Sequence, residues 1–161
     1  FFCGGMQIDR YGNSNLIGIK DDRGRLRVRG PGAIGTCNAT AYNSRYHLVV
    51  MRHSSEVLVE KCDFISALGY GDGRPKLRQQ LGLPGAGPKY IITPLCVFEF
   101  DEIEHSAVIR SVHPGVSIEE VIEKTGFDFE VPEEIPETEL PTEEELIILR
   151  TRIDPNGSLR S

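Results

Sequence analysis

The sequence predicts an α/β fold, an open mixed sheet with helices packed on it. Three observations carry that expectation. Short β-branched runs fill the first two thirds, two capped amphipathic segments close the chain, and several connections are too short for the crossover that parallel strands need. At 161 residues, 39% hydrophobic and 26% charged, the chain can bury one core, so a single domain over 1–161 is expected.

From Phe1 to Ile19 a strand end gives way to polar turns, with Gly12, Asn13 and Asn15 of the Asp9–Asn15 stretch suited to positive φ. Arg25 to Arg29 alternates charged and apolar residues at period two, which predicts a strand. Gly30-Pro31-Gly32-Ala33-Ile34-Gly35 then places three glycines in six residues, a loop whose backbone can approach a ligand closely. His47–Arg52, Val57–Val59 and Phe64–Ser66 read as buried strands around which the core forms. A short helix over 76–81 is expected between two glycine-rich loops, followed by strands at Tyr90–Thr93, Cys96–Phe100 and Ala107–Val112. Ser117 and Glu120 have capping-box spacing, and the helix they open should stop at Gly126 as a C′ residue. Thr142–Glu145 opens a second capped helix over 142–153, halted by Asp154-Pro155. Between the helices, 132–141 is acidic and contains Pro132, Pro136 and Pro141, an extended strap.

Charge is unevenly spread. From Glu99 to Glu145 there are 16 acids against Arg110 and Lys124, a local charge of −14, so the net −6 leaves +8 for the rest. The basic density peaks at Lys20, Arg23, Arg25, Arg27 and Arg29, just before the glycine loop. Such a cluster attracts phosphorylated ligands, but without interleaved aromatic residues it argues against nucleic-acid binding. No apolar run approaches the roughly 18 residues of a membrane span. Cys3, Cys37, Cys62 and Cys96 lie 34, 25 and 34 apart with no C-x-x-C pair, so neither zinc nor a disulfide framework is expected. The same spacing makes a reducing, cytoplasmic setting the expectation. Phe1 stands where an initiator Met would, and no leader pattern opens the chain, which reads as a protein whose N-terminal part is missing.

The Gly30–Gly35 loop is the main chemical candidate, because free N–H groups on such a loop can hold a phosphate, a carboxylate or an oxyanion. It is neither a P-loop nor a dinucleotide fingerprint. Thr36, Asn38 and Thr40 follow and can add side-chain hydrogen bonds. Cys37 with His47 or His53 as base is a weaker candidate, since a lone Cys usually packs as a small apolar residue. Glu56 and Glu60 fall on one face of an expected strand, where a solvated edge is the simpler reading.

Gly4-Gly5-Met6-Gln7-Ile8-Asp9-Arg10-Tyr11-Gly12-Asn13 resembles the G-G-x-Q-I-D-x-Y-G-N segment of class I coenzyme A transferase beta subunits. Arg29-Gly30-Pro31-Gly32 is similar to their glycine loop, and Gln80-Leu81-Gly82-Leu83-Pro84-Gly85 to their R-L-G-L-P-G run. Thr125–Asp128 and Ile153–Pro155 resemble their closing helices. The resemblance, closest to the glutaconate type, implies an open α/β fold shared with sugar-phosphate isomerases. It also implies a partner alpha subunit in a heterotetramer, and acyl-CoA and a carboxylic acid as substrates, with coenzyme A a substrate and not a permanent cofactor. In that family a glutamate attacks the acyl-CoA and passes through an anhydride to a glutamyl-CoA thioester. That glutamate precedes the segment matched here, so no catalytic residue is expected within it. Gly30, Gly32, Ala33 and Asn38 are the candidates for the substrate cradle, with Gln7 and Asn13 as further ones. Two departures stand out. The family loop reads G-S-G-G-A-N, whereas here Pro31 offers no N–H. His53–Lys61 and Ser111–Val116 resemble a branch of the fold that hydrolyses a ring in steroid-derived CoA esters without the nucleophilic glutamate. A ring hydrolase and a non-catalytic binding subunit are therefore the alternatives.

Overall fold

Apolar alternation gives strands both in the main sheet and at the exposed Leu26–Arg29 segment, whether or not a layer opposes it. The structure is a computed structural model that describes residues 1–158. In chain order the elements are β1 (Phe2–Cys3), β2 (Gln7–Ile8), β3 (Ser14–Asn15), β4 (Gly18–Lys20), β5 (Leu26–Arg29), α1 (Thr36–Tyr42) and β6 (Tyr46–Val49). They continue with α2 (Leu77–Gln80), β7 (Pro88–Ile92), β8 (Cys96–Phe100), β9 (Ala107–Val112), α3 (Ile118–Lys124) and α4 (Glu143–Ile148), the last extended by a π-helical turn over Leu149–Ile153.

The main sheet runs β1-β6-β7-β8-β9. β1, β6 and β7 are parallel, and β8 and β9 join antiparallel, the mixed sheet that the short connections predict. Two ribbons, β2–β3 and β4–β5, stand apart from it. Alternate residues Leu48, Ile91, Phe98 and Ile109 point to one face and form the core with Ile8, Tyr46, Leu58 and Val121. Phe98 lies at its centre, with ring centroids 5.9 Å from Phe127 and 5.0 Å from Phe129. No helix among the described residues is long and apolar enough to cross a membrane.

Several expectations are corrected. Val57–Val59 and Phe64–Ser66 are not strands; the chain makes single bridges there, Leu58 to Ile8, Val59 to Gly126, and Ala67 to Ser14. Leu58 is buried, but the N–H groups of Val57 and Leu58 both turn back to the Ser54 carbonyl, so the run coils instead of extending. Helix α1 forms directly after the Gly30–Gly35 loop, where the sequence announces no helix, since Thr, Cys and Asn are weak helix formers and its N-cap is Gly35 with no side-chain cap. At α3 only half of the capping box forms. Ser117 accepts the Glu120 N–H, while the Glu120 carboxylate turns to Lys124 at 2.6 Å. Gly126 is required by contact and not by a left-handed φ: a Cβ there would strike the Leu58 carbonyl. At α4 both legs of the Thr142–Glu145 box are present.

The 132–141 strap lies beside β9. Ile109 and Val112 donate to the carbonyls of Glu130 and Pro136, and Thr138 N–H returns to Val112 at 2.7 Å.

Candidate functional site

The glycine loop joins the exposed β4–β5 ribbon to α1. Two anchors fix it: Gly30 N–H donates to the Ile17 carbonyl and Gly32 N–H to the Leu16 carbonyl, both at 2.9 Å. Gly30 has no room for a side chain, since a Cβ would meet the Leu16 carbonyl and the Met6 sulfur. Beyond the anchors the backbone turns left-handed at Gly32, Ile34 and Gly35, with φ of 91°, 49° and 76°. A β-branched residue at positive φ is an outlier that costs on the order of 1–3 kcal/mol. The Ile34 side chain recovers nothing from packing, being 71% exposed. Among the described residues the N–H groups of Ala33, Ile34 and Gly35 find no protein acceptor. Three neighbouring donors on a strained, glycine-anchored turn can bind an anion or a developing oxyanion. Asn38 lies exposed in the first turn of α1, its Oδ1 3.8 Å from the Cys37 sulfur.

The expected candidates thus divide. Gly30, Gly32, Ala33 and Asn38 come together on the loop and α1, whereas Gln7 and Asn13 are buried in polar lattices. Gln7 Oε1 accepts from Asn15 Nδ2 at 2.7 Å, and its Nε2 donates to Asp63 at 3.0 Å. Asn15 Oδ1 in turn accepts the N–H groups of Ile17 and Gly18, shaping the turn whose carbonyls anchor the loop. Gln7 therefore reaches the loop only through Asn15. Asn13 works elsewhere. Its Nδ2 donates to both Asp9 oxygens and to the Gly71 carbonyl, and its Oδ1 accepts the N–H groups of Gly69 and Gly71. Burial raises the Asp9 carboxyl above the usual range, opposed by the bonds from Asn13 and Tyr11.

Sequence reasoning gives little weight to a second buried network. His53 Nδ1 lies 2.9 Å from Thr93 Oγ1 and Nε2 lies 2.9 Å from Thr125 Oγ1. Burial lowers the ring's pKa to about 4. His113 continues the network, bonded to the Thr93 carbonyl and to Thr138 of the strap. The missed signal is the pairing of Thr93 with Thr125, which only the fold makes visible. Among the described residues neither candidate base reaches Cys37: His53 is engaged by two threonines, and His47 stacks between Phe2 and Tyr90 at 5.0 and 5.3 Å.

A family model described as Coenzyme A transferase matches residues 1–124. The chain is 42% identical over 149 residues to the beta subunit of the 3-oxoadipate CoA-transferase from Pseudomonas knackmussii, covering 92% of this chain and 56% of that one. It is 32% identical to the cholesterol ring-cleaving hydrolase IpdB subunit of Mycobacterium tuberculosis, covering 96% of this chain and 60% of the relative. The crystal structure of glutaconate coenzyme A-transferase from Acidaminococcus fermentans superposes with a TM-score of 0.86 at 33% identity, over 99% of this chain and 60% of that one. The chain thus spans little more than half the length of these relatives. With the family model matching residues 1–124 and the fold superposing on a solved relative over nearly the whole chain, the chain belongs to the coenzyme A transferase family.

Proposed function

We propose that residues 1–161 are the loop-bearing part of the beta subunit of a two-subunit, cytoplasmic CoA-transferase that moves coenzyme A between an acyl-CoA and a free carboxylic acid. One observation carries the reading: the unpaired N–H groups of Ala33, Ile34 and Gly35 lie side by side on a loop anchored through Gly30 and Gly32. In this reading a glutamate carboxylate from outside these residues attacks the thioester carbonyl. The loop N–H groups hold the oxyanion, and CoA leaves as thiolate, giving an acyl-glutamyl anhydride. The thiolate then attacks the glutamyl carbonyl, releasing the first acid and leaving the CoA thioester on the enzyme. A second carboxylate reverses the sequence and departs as the new acyl-CoA.

Asn38 adds a side-chain amide at the mouth of the loop, and Gln7, through Asn15, keeps the anchoring carbonyls in place. Asn13 supports the neighbouring 69–71 turn. The alpha subunit completes the pocket, two such heterodimers form the particle, and coenzyme A comes and goes as substrate. The 42% identity to a transferase chain, against 32% to a ring hydrolase chain, favours transfer over hydrolysis.

The test uses the intact two-chain protein with an acyl-CoA and an acceptor acid, trapped with borohydride or hydroxylamine and read by mass spectrometry. A modified glutamate with CoA appearing on the acceptor is the expected result. Loss of a ring from a steroid-derived CoA ester with no labelled residue would assign the hydrolase reading instead.

A further inference from the structure

At the far end of α1 from the glycine loop lies a cavity of about 360 Å³ whose chemistry the transferase reading does not use. Tyr70, Arg74, Lys76, Arg78, Gln79 and His105 supply its polar lining, and among the described residues no carboxylate lines it. That is an unusual surface on a chain with 24 acids and a net charge of −6. Leu83, Pro84 and Gly85, the end of the Gln80–Gly85 run of the family resemblance, close one side, so part of a sequence feature left without a function belongs here too.

Two further observations point to an anion. Arg78 is only 6% exposed, and its guanidinium donates solely to carbonyls, those of Gly85, Leu68, Gly69 and Thr40, at 2.7 to 3.0 Å. Its charge is therefore satisfied in hydrogen bonds but not neutralised, and in a poorly polarisable interior it projects into the cavity. The described residues contain three non-glycine positions with positive φ, and two of them, Lys76 at 62° and His105 at 53°, line this cavity. Left-handed backbone at a non-glycine residue is a cost that persists where it positions the side chain for a ligand. Lys76 has no carboxylate partner among the described residues. Arg74 is paired through Nε with Asp72 at 2.8 Å, both side chains being more than half exposed. His105 stacks on Tyr70 at 4.4 Å and 12°, which holds its ring in place.

The geometry points to a binding site for a phosphate-bearing small molecule, gripped by Lys76, Arg74 and His105 in front of the buried Arg78 charge. The site lies at the opposite end of α1 from the loop, by the start of β6 and β7. It does not depend on what reaction the loop performs. Two sources share the required chemistry, a free nucleotide and the phosphorylated nucleotide end of coenzyme A.

Calorimetric titration of the intact two-chain protein with inorganic phosphate, ADP and coenzyme A, each taken separately, tests it without reference to turnover. Saturable ADP binding is expected, weakened about tenfold in Arg74→Gln and in Lys76→Gly. The second variant also replaces a strained residue by the one that tolerates its φ, so loss of binding there cannot be ascribed to misfolding. Coenzyme A weakened in parallel with ADP identifies its nucleotide end as the occupant. Coenzyme A unaffected while ADP is weakened identifies a free nucleotide. Absence of saturable binding by all three probes, or equal affinities in wild type and both variants, overturns the site.

Discussion

The β6–β9 sheet and the β4–β5 ribbon are built from the same alternating pattern and end in opposite states. In the sheet Leu48, Ile91, Phe98 and Ile109 are at most 1% exposed, whereas in the ribbon Leu26 and Val28 are 47% and 38% exposed. Alternation marks a strand; burial needs a second layer, and only the sheet has one. The sheet is therefore held by apolar contact, and the loop that the ribbon leads into is held by carbonyl anchors and the missing side chain of Gly30. Stability resides mainly in the first region, and strain and unpaired donors in the second.

The strongest way to break that division is Phe98→Ala, which should cost about 3–5 kcal/mol by emptying the centre of the core. A urea-unfolding midpoint that hardly moves would show that the sheet is not the stabilising region. Gly30→Ala should act in the reverse sense. The added methyl strikes the Leu16 carbonyl and displaces the loop, which on the proposed function lowers the CoA-transfer rate of the intact protein about 100-fold. Its unfolding free energy should fall by less than about 2 kcal/mol. Equal losses of both would merge the two regions.

His53 sharpens the comparison on the sheet side. Burial lowers its pKa from the ordinary 6.5 to about 4, so between those pH values the unfolded chain takes up a proton that the folded chain refuses. Its contribution is present above pH 6.5 and is lost as pH falls towards 4, at no more than about 1.4 kcal/mol per pH unit. Asp9, with its raised carboxyl, titrates in the opposite sense, so the readout is the difference between wild type and His53→Gln across that window. Identical pH–stability curves would remove His53 from the account. The smallest effect is expected at Ile34→Gly, which should stabilise the fold by about 1 kcal/mol by relieving the left-handed backbone. A lower melting temperature would mean that Ile34 packs against something its exposure does not show.

The parts of the molecule legible in the sequence are those marked by a local pattern, alternation or a cap, whether buried or exposed. Cys96–Phe100 and Ala107–Val112 alternate and are strands; Ser117 and Thr142 announce helices that form. Thr36–Tyr42 is hidden because its helix is held in place by tertiary contacts, notably Thr40 and the Arg78 guanidinium, and not by propensity. Val57–Val59 misleads for the converse reason: only Leu58 is buried, and the run makes single bridges in a coil instead of a strand. At the site, the glycines mark the loop correctly. Which donors remain open is not readable, because it depends on the carbonyls of Leu16 and Ile17 more than ten residues upstream.

The strap has a consequence for solubility. A bare β9 would offer an unpaired row of backbone groups to any other extended chain, the usual starting point of sheet-to-sheet aggregation. Residues 130–138 occupy that row instead, and do so with a segment unsuited to recruiting another strand. Pro132 and Pro136 lack the N–H that a next strand would require, and Glu133, Glu134 and Glu137 repel a second copy carrying the same charges. The acidic stretch thus serves as a gatekeeper for the sheet, keeping its antiparallel margin from growing into a neighbouring molecule.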